Sequence, residues 1–519
     1  MELNKMRNAL IKTILIAIFS VVCFGIASES FSFTALAAET DSTIVSLDAK
    51  KITDAEFELS STTVTYNGKT LKKGTDYTVS YSNNTKIGKA TVKVTGKGSY
   101  TGTKKLTFKI IPKKVTNLTT TAGQTRIKLS WSKVATCTGY KIYRYNSSTK
   151  KWEGVKNISS KTTTSWTDNS RTPNKTYKYI VKAYKTVNGV TYVSKGVKIS
   201  VKTKKATTPL ALNGQLSVSG ANIVNSSGEK FQILGMSTHG IMWEDYSDIL
   251  SKASLKVLRD DWGINTIRIA MYTEEWGGYT TSSAYALQAR KKIYKAVETA
   301  SSLGLYVIID WHILNDGNPQ THQSEAIKFF KIMAKRYKNY NNIIYEICNE
   351  PNGSGVTWSG NIKPYAKKVI AAIRKYDDDA LIICGTPTWS QDIDDVVNNR
   401  LSDKNTVYAL HFYANTHTDW LRTRFSECYS SGLPILVSEF GTCNSSGDGG
   451  YNSTQTKTWL KLLDSKKIGY VNWSASSKSE TASAFKSGTN LAKIKSGTSQ
   501  LTSSGKLIRS WYRKRAGLS

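Results

Sequence analysis

The 519-residue chain has no CxxC pair and no cysteine–histidine cluster at metal-ligand spacing, so it implies no zinc site. Nor does it have the ~20-residue apolar run that a bilayer-spanning helix needs; the apolar stretch from Ile14 to Ala27 falls short. No glycine-rich phosphate loop follows its first α/β strand, and none of the nucleic-acid-binding motifs is visible. Acidic residues are scarce, with 38 Asp+Glu against 72 Lys+Arg and a formal net charge of +34. What remains is a globular composition, 39% hydrophobic and 21% charged, too long for a single core, so two or three domains are expected.

Lys5, Arg7 and Lys12 precede the apolar stretch, and Ala35-Leu36-Ala37 follows it. This pattern reads as a secretory signal, residues 1–37, with an A-x-A cleavage site. Ser20-Val21-Val22 lacks the small residue expected before a lipidated Cys23. Secretion, with no membrane attachment after cleavage, is the expectation. Five cysteines then remain, Cys137, Cys348, Cys384, Cys428 and Cys443. Cys348 and Cys384 lie in apolar runs and read as core packing, whereas Cys428 and Cys443 are candidates to approach each other in an oxidising medium.

The basic excess is uneven. Residues 1–207 hold 36 Lys+Arg and 11 Asp+Glu, and residues 208–519 hold 36 and 27. An N-terminal part this basic could attract anionic cell-wall polymers, or simply present a solvated lysine surface. Nucleic acid is a poor partner for a secreted chain.

Residues 38–112 and 113–203 alternate short Thr-, Val- and Tyr-rich runs with turn signals, and both read as antiparallel β-sandwiches. The break falls at Ile111-Pro112-Lys113-Lys114. Trp131, the run Gly139 to Arg144 and the run Tyr177 to Tyr184 make the second resemble a fibronectin type III domain; Tyr66 to Lys69 and Gly74 to Tyr77 make the first resemble bacterial immunoglobulin-like repeats. Trp131 is expected to plug its sandwich.

After a linker, 204–209, residues 210–519 change pattern: apolar strands alternate with amphipathic helical stretches for about eight rounds, which predicts an α/β fold, a (β/α)8 TIM barrel. The strands are placed at 231–239, 265–272, 305–313, 343–350, 381–389, 407–414, 434–440 and 469–476. Their ends deliver His239, Arg268, Trp311-His312, Asn349-Glu350, Trp389, His411 with Tyr413, Glu439 and Trp473. Barrel active sites collect at this rim, and nothing structural requires an arginine, three histidines and two glutamates there. Glu350 and Glu439, on opposite staves, suit the scission of a glycosidic bond, which calls for one carboxylic acid at the leaving oxygen and one carboxylate at the anomeric carbon. Arg268 and Tyr413 near Glu439 would keep it ionised, and Asn349 would donate to a sugar 2-hydroxyl. His312 and His411 would orient sugar and carboxylates. Trp243, Trp389 and Trp473, with His239 and Tyr272 nearby, are candidate platforms for sugar faces.

Asn349-Glu350-Pro351, Ser438-Glu439-Phe440-Gly441, His411-Phe412-Tyr413 and Ile267-Arg268 together resemble glycoside hydrolase family 5. Gly235 to Gly240, Asp310-Trp311-His312, Gly385 to Ser390 and Asn472-Trp473-Ser474 resemble its secreted bacterial endo-β-1,4-glucanases, and the likeness runs from about 210 to 500. The resemblance implies Glu350 as acid/base and Glu439 as nucleophile in a double displacement with retention, with the carboxyls about 5–5.5 Å apart. It also implies that Lys478 and Glu480 bond hydroxyls further along a β-1,4-glucan. No cofactor or metal is implied, and nothing requires more than a monomer. A β-mannanase or other β-1,4-glycanase would share every catalytic residue, and a carbohydrate-binding protein that has lost activity is the alternative outside enzymes.

Overall fold

The computed structural model describes residues 55–57, 64–66, 69–243 and 246–518. The signal sequence expected at 1–37 lies outside them. The described residues divide into two compact units, one taking those up to Thr119 with Ser130–Trp166 and Lys178–Ser200, the other taking Thr120–Leu129, Thr167–Tyr177 and Val201 onward.

The first unit is built from strands. Tyr77–Ser82, Gly88–Gly96, Thr103–Pro112 and Ala55–Phe57 form a four-stranded antiparallel sheet. Alternate residues of its strands, such as Ala90, Val92 and Val94, are buried with Phe108 and Ile110, as a sheet with one covered face requires. Lys151–Ile158, Gly139–Asn146, Thr176–Val187, Val190–Val193 and Val197–Lys202 belong to a second sheet, of five strands. Beside that sheet Trp131 is buried, edge-on to Tyr140 at 5.1 Å.

The second unit contains a closed barrel of eight parallel strands. They are β1 (Leu234–Ser237), β2 (Thr266–Tyr272), β3 (Tyr306–His312), β4 (Ile343–Glu346), β5 (Leu381–Cys384), β6 (Thr406–Tyr413), β7 (Ile435–Gly441) and β8 (Tyr470–Asn472). Side chains alternate across each strand. Tyr306, Ile308, Ile344, Leu381, Ile383, Val407, Ala409, Leu436 and Val471 fill the interior, and Leu210, Leu216, Ile223 and Phe231 join them. The intervening positions, including Val307, Ile309, Tyr345 and Ile382, pack outward against the helices.

Those helices follow from capping and period. Ser283–Leu303 starts where the Ser282 side chain accepts the Tyr285 N–H and stops at Gly304, whose φ of 71° ends the helical backbone. Ala289, Ile293, Ala296, Val297 and Ala300 recur at helical spacing and are buried. Full burial of a side chain such as Ile293 contributes about 1.5–3 kcal/mol.

The strands are shorter than the apolar runs suggested. β4 ends at Glu346 and not at 350, and β5 ends at Cys384 and not at 389. Hydrophobicity reports burial, not ladder pairing: Ile347, Cys348 and Asn349 stay fully buried after the chain has left the sheet. His239, Glu350, Trp389 and Trp473 therefore stand in the loops just past their strands. All five cysteines after residue 37 are buried and unpaired, Cys428 and Cys443 included.

Candidate active site

A cavity of about 590 Å³ opens at the C-terminal ends of the strands. Of the residues expected there, Glu350, Glu439, His312, His411, Tyr413, His239, Trp243, Tyr272, Trp389, Trp473, Lys478 and Glu480 all line it. Arg268 and Asn349 do not: both are fully buried, bonded to the groups that do. Trp311 is the exception at the rim, because its odd position on β3 turns it outward onto Phe329 and Phe330.

Glu439 is held at both oxygens. Tyr413 donates its hydroxyl to Oε1 at 2.9 Å, and Arg268 donates to Oε2 at 3.0 Å. The Tyr413 ring reaches this position because Gly441 has no side chain; a Cβ there would lie 2.3 Å from the ring. Glu350 comes from the loop after β4, with Oε1 2.8 Å from His411 Nδ1. That loop is pressed against Gly385, where a Cβ would sit 2.2 Å from the Cys348 carbonyl oxygen. Carboxylate oxygens of Glu350 and Glu439 and a ring nitrogen of His411 lie within 4.8 Å of one another.

Beneath the pair is a buried charge network that strand-end reading overlooked. Arg268 donates to Glu346 at 2.6 Å and to Asn349 at 2.6 Å, and pairs with Asp310 at 3.0 Å. Asp310 also takes His312 Nδ1 at 2.6 Å, and the other ring nitrogen of His312 is 3.3 Å from the Asn349 amide. Glu346 and Asp310 were legible by alternation: Ile344 and Ile308, two residues earlier, face the interior. Burial raises the Glu346 pKa, but Arg268 and His411 outweigh it and hold it at about 2. Burial pushes Asp310 well above the usual carboxylate range. Burial and the Arg268 charge keep His312 neutral, at about 3. His411 goes the other way: burial opposes its charge, but Glu346 and Glu350 raise it to about 9.

One wall of the groove is aromatic. Trp473 is stacked over His312 at 5.2 Å, Tyr272 contacts the same imidazole at 4.1 Å, and Trp243 lies 4.5 Å from Tyr272. The peptide bond between Trp473 and Ser474 is cis. His239 accepts the Gly240 N–H on Nδ1, and its Nε2 faces Glu480 at 3.8 Å. Lys478 pairs with the second Glu480 oxygen at 2.5 Å, while Oε1 has no hydrogen-bond partner among the described residues. At the opposite wall Trp389 is 45% exposed, presented by three consecutive left-handed residues, Thr388, Trp389 and Ser390. Such backbone costs about 1–3 kcal/mol per residue and persists only where bonds over-determine it. Here Trp389 N–H donates to the Pro351 carbonyl and Ser390 Oγ to the Asn349 carbonyl, tying the loop to that of Glu350.

Glu275 also lines the cavity and was not anticipated. Glu274, Asp316 and His322 come within 4.8 Å of one another, a grouping that sequence spacing did not reveal.

A family model described as cellulase, glycosyl hydrolase family 5, matches residues 224–479. Endoglucanase N of Pectobacterium atrosepticum is 46% identical over 333 residues, covering 64% of this chain and 72% of that protein. Endoglucanase 5 of Pectobacterium carotovorum subsp. carotovorum is 46% identical over the same length, 63% of its own. Among solved structures, cellulase Cel5C_n superposes with a TM-score of 0.56 at 42% identity, covering 59% of this chain and 94% of that one. The catalytic domain of Thermobifida fusca endoglucanase Cel5A, in complex with cellotetraose, gives 0.56 at 35% identity, covering 59% and 100%.

Proposed function

This chain belongs to glycosyl hydrolase family 5, the cellulase family, and from that premise we propose that it is a secreted endo-β-1,4-glucanase acting by double displacement with retention of configuration. The observation that carries the mechanism is the proximity of the two carboxylates. One oxygen of each lies within 4.8 Å of one oxygen of the other, nearer to the ~5–5.5 Å carboxyl separation of retaining enzymes than to the ~6.5–9.5 Å that leaves room for an attacking water.

Glu350 protonates the glycosidic oxygen while Glu439, held at both oxygens, attacks the anomeric carbon, giving a glycosyl-enzyme ester and a shortened glucan. Glu350, now ionised, takes a proton from water, whose oxygen displaces Glu439 and regenerates the acid. Because Glu350 serves the leaving half, that half lies along Trp389, whose loop is bonded to that of Glu350. The other half lies over Trp473, Tyr272, His239 and Trp243, with Lys478 and Glu480 meeting its hydroxyls. Asn349 donates to the 2-hydroxyl of the reacting sugar. The groups named need no metal or cofactor for these steps.

The relatives' names and the cellotetraose complex favour a β-1,4-glucan as substrate. The segments before the barrel are proposed to be a signal sequence, 1–37, an immunoglobulin-like domain, 38–112, and a fibronectin type III-like domain, 113–203, whose basic surface meets anionic cell-wall polymer. After the linker, 204–209, the catalytic domain runs over 210–519 and works as a monomer. Proton NMR of cellotetraose hydrolysis tests the mechanism: the first-formed reducing end is expected as the β anomer, and a first-formed α anomer refutes retention. Rates on carboxymethylcellulose, mixed-linkage glucan, glucomannan and mannan test the substrate; faster mannan cleavage refutes the glucanase reading.

A further inference from the structure

Glu346 is a fully buried carboxylate that the reaction above does not use, and it stands between the two catalytic groups. Its Oε2 takes the Arg268 Nε–H at 2.6 Å, and Arg268 in turn holds Glu439. Its Oε1 has no hydrogen-bond partner among the described residues and lies 3.9 Å from His411 Nε2. That is an ion-pair distance, too long for a hydrogen bond. The opposite ring nitrogen is 2.8 Å from Glu350 Oε1. His411 therefore lies between two carboxylates, and whether its Nδ1 carries a proton decides what Glu350 does with its own. An anion on the Nε2 side draws a neutral ring's single proton to Nε2, so only the cation keeps Nδ1–H as well.

A neutral imidazole leaves one ring nitrogen bare. With Nδ1 bare, the proton of Glu350 settles on Oε1 in a bond to the ring, unavailable to a leaving group. An imidazolium can only donate, so its Nδ1–H occupies Oε1. We propose that Glu346 is a positioning residue: its carboxylate keeps His411 cationic, and the cation makes Glu350 Oε1 an acceptor, so that the acid's proton is carried on the other oxygen. This rests on the reading of Glu350 as acid/base. The His411 Nε2–H is given to Ser438 Oγ at 2.9 Å, with the Glu346 charge behind it.

The other titratable groups around the ring are accounted for. Glu439 adds to its cationic character, and Asp310, His312 and His417 also interact with it. His312 and His417 are pushed toward neutrality, to about 3 and about 4, chiefly by burial. Arg268 faces the far oxygen of Glu346 and is satisfied there.

The test uses the ¹⁵N-labelled full chain. At pH 7 both His411 ring nitrogens are expected to be protonated in the wild type, and one in Glu346→Gln. Glutamine keeps an acceptor for Arg268 and loses the charge. Turnover of cellotetraose by that variant is expected to fall at least about tenfold, as mispositioning of a general acid worth ~10²–10⁴ allows. First-turnover release of 2,4-dinitrophenolate from its cellobioside, which needs no proton, should stay within about threefold, and Glu346→Asp should restore the cation. An equal loss on both substrates overturns the proposal. So does a neutral His411 ring in the wild type, a result that needs no variant to fold. If the ring is neutral but Glu350→Ala is inactive on cellotetraose, only this inference fails; if Glu350→Ala remains active, the catalytic reading fails first.

Discussion

Replacing Tyr413 by phenylalanine removes one oxygen and isolates one bond. The hydroxyl donates to Glu439 Oε1 at 2.9 Å, and both side chains are buried, at 7% and 4% exposure. A hydrogen bond to a charged group at such a site contributes about 1.5–3 kcal/mol. With a tenfold rate change for each ~1.36 kcal/mol, kcat/KM on cellotetraose should fall roughly 13- to 160-fold. The fall should appear in kcat, because Arg268 alone then restrains the carboxylate, which can swing about its last torsion, while the sugar platforms are untouched. The ring itself still packs against Gly441, so the melting temperature should change by only a few degrees. Initial rates from reducing-end release, read beside thermal unfolding, check this. A folded variant within threefold of wild-type kcat would refute the claim that Tyr413 fixes the nucleophile.

Three further outcomes are expected. Glu350→Ala should lose turnover of cellotetraose by roughly 10²–10⁴-fold yet keep the first-turnover burst on 2,4-dinitrophenyl cellobioside; equal loss on both would contradict the acid role. Trp389→Ala should raise KM for long soluble glucans while leaving cellobiosyl fluoride, whose leaving group is a single atom, unaffected, and a uniform fall in kcat would contradict its place on the leaving side. The histidines by themselves make stability greatest near pH ~6.5, while Asp310, kept neutral by burial, subtracts from it as pH rises above about 3.9. His239 and His312, held neutral at about 3 mainly by burial, and His417, at about 4, bind protons on unfolding, so stability falls as pH drops from about 6.5. His411, at about 9, contributes stability that is fully present below about 6.5 and is lost as pH rises through 9. An acid limb in the melting temperature as steep in His239→Gln as in the wild type, or an alkaline fall as steep in His411→Gln, would contradict these assignments.

The barrel was legible because buried parallel strands and amphipathic helices write different periods, and their alternation over some 300 residues has few other solutions. The groove was legible because polar groups at the ends of apolar strands have little structural reason to be there. Strand ends were misjudged, since residues such as Cys348 and Asn349 are as buried in the rim loops as Ile344 is in the ladder. Trp311 was misplaced for want of a parity count, which the inward Asp310 and His312 on either side supply. The same count brings Glu346 inward beside Arg268. Left-handed backbone at Thr388 to Ser390 leaves no mark in residues that are neither glycine nor asparagine.

An activated 2-deoxy-2-fluoro-cellobioside tests the central claim, because its fluorine slows both displacements while its leaving group lets the first proceed. The peptide carrying Glu439 should gain the mass of one fluoro-cellobiosyl unit. A chain that hydrolyses cellotetraose but forms no adduct, or carries it on Glu350, would contradict the assignment of Glu439 as the attacking group.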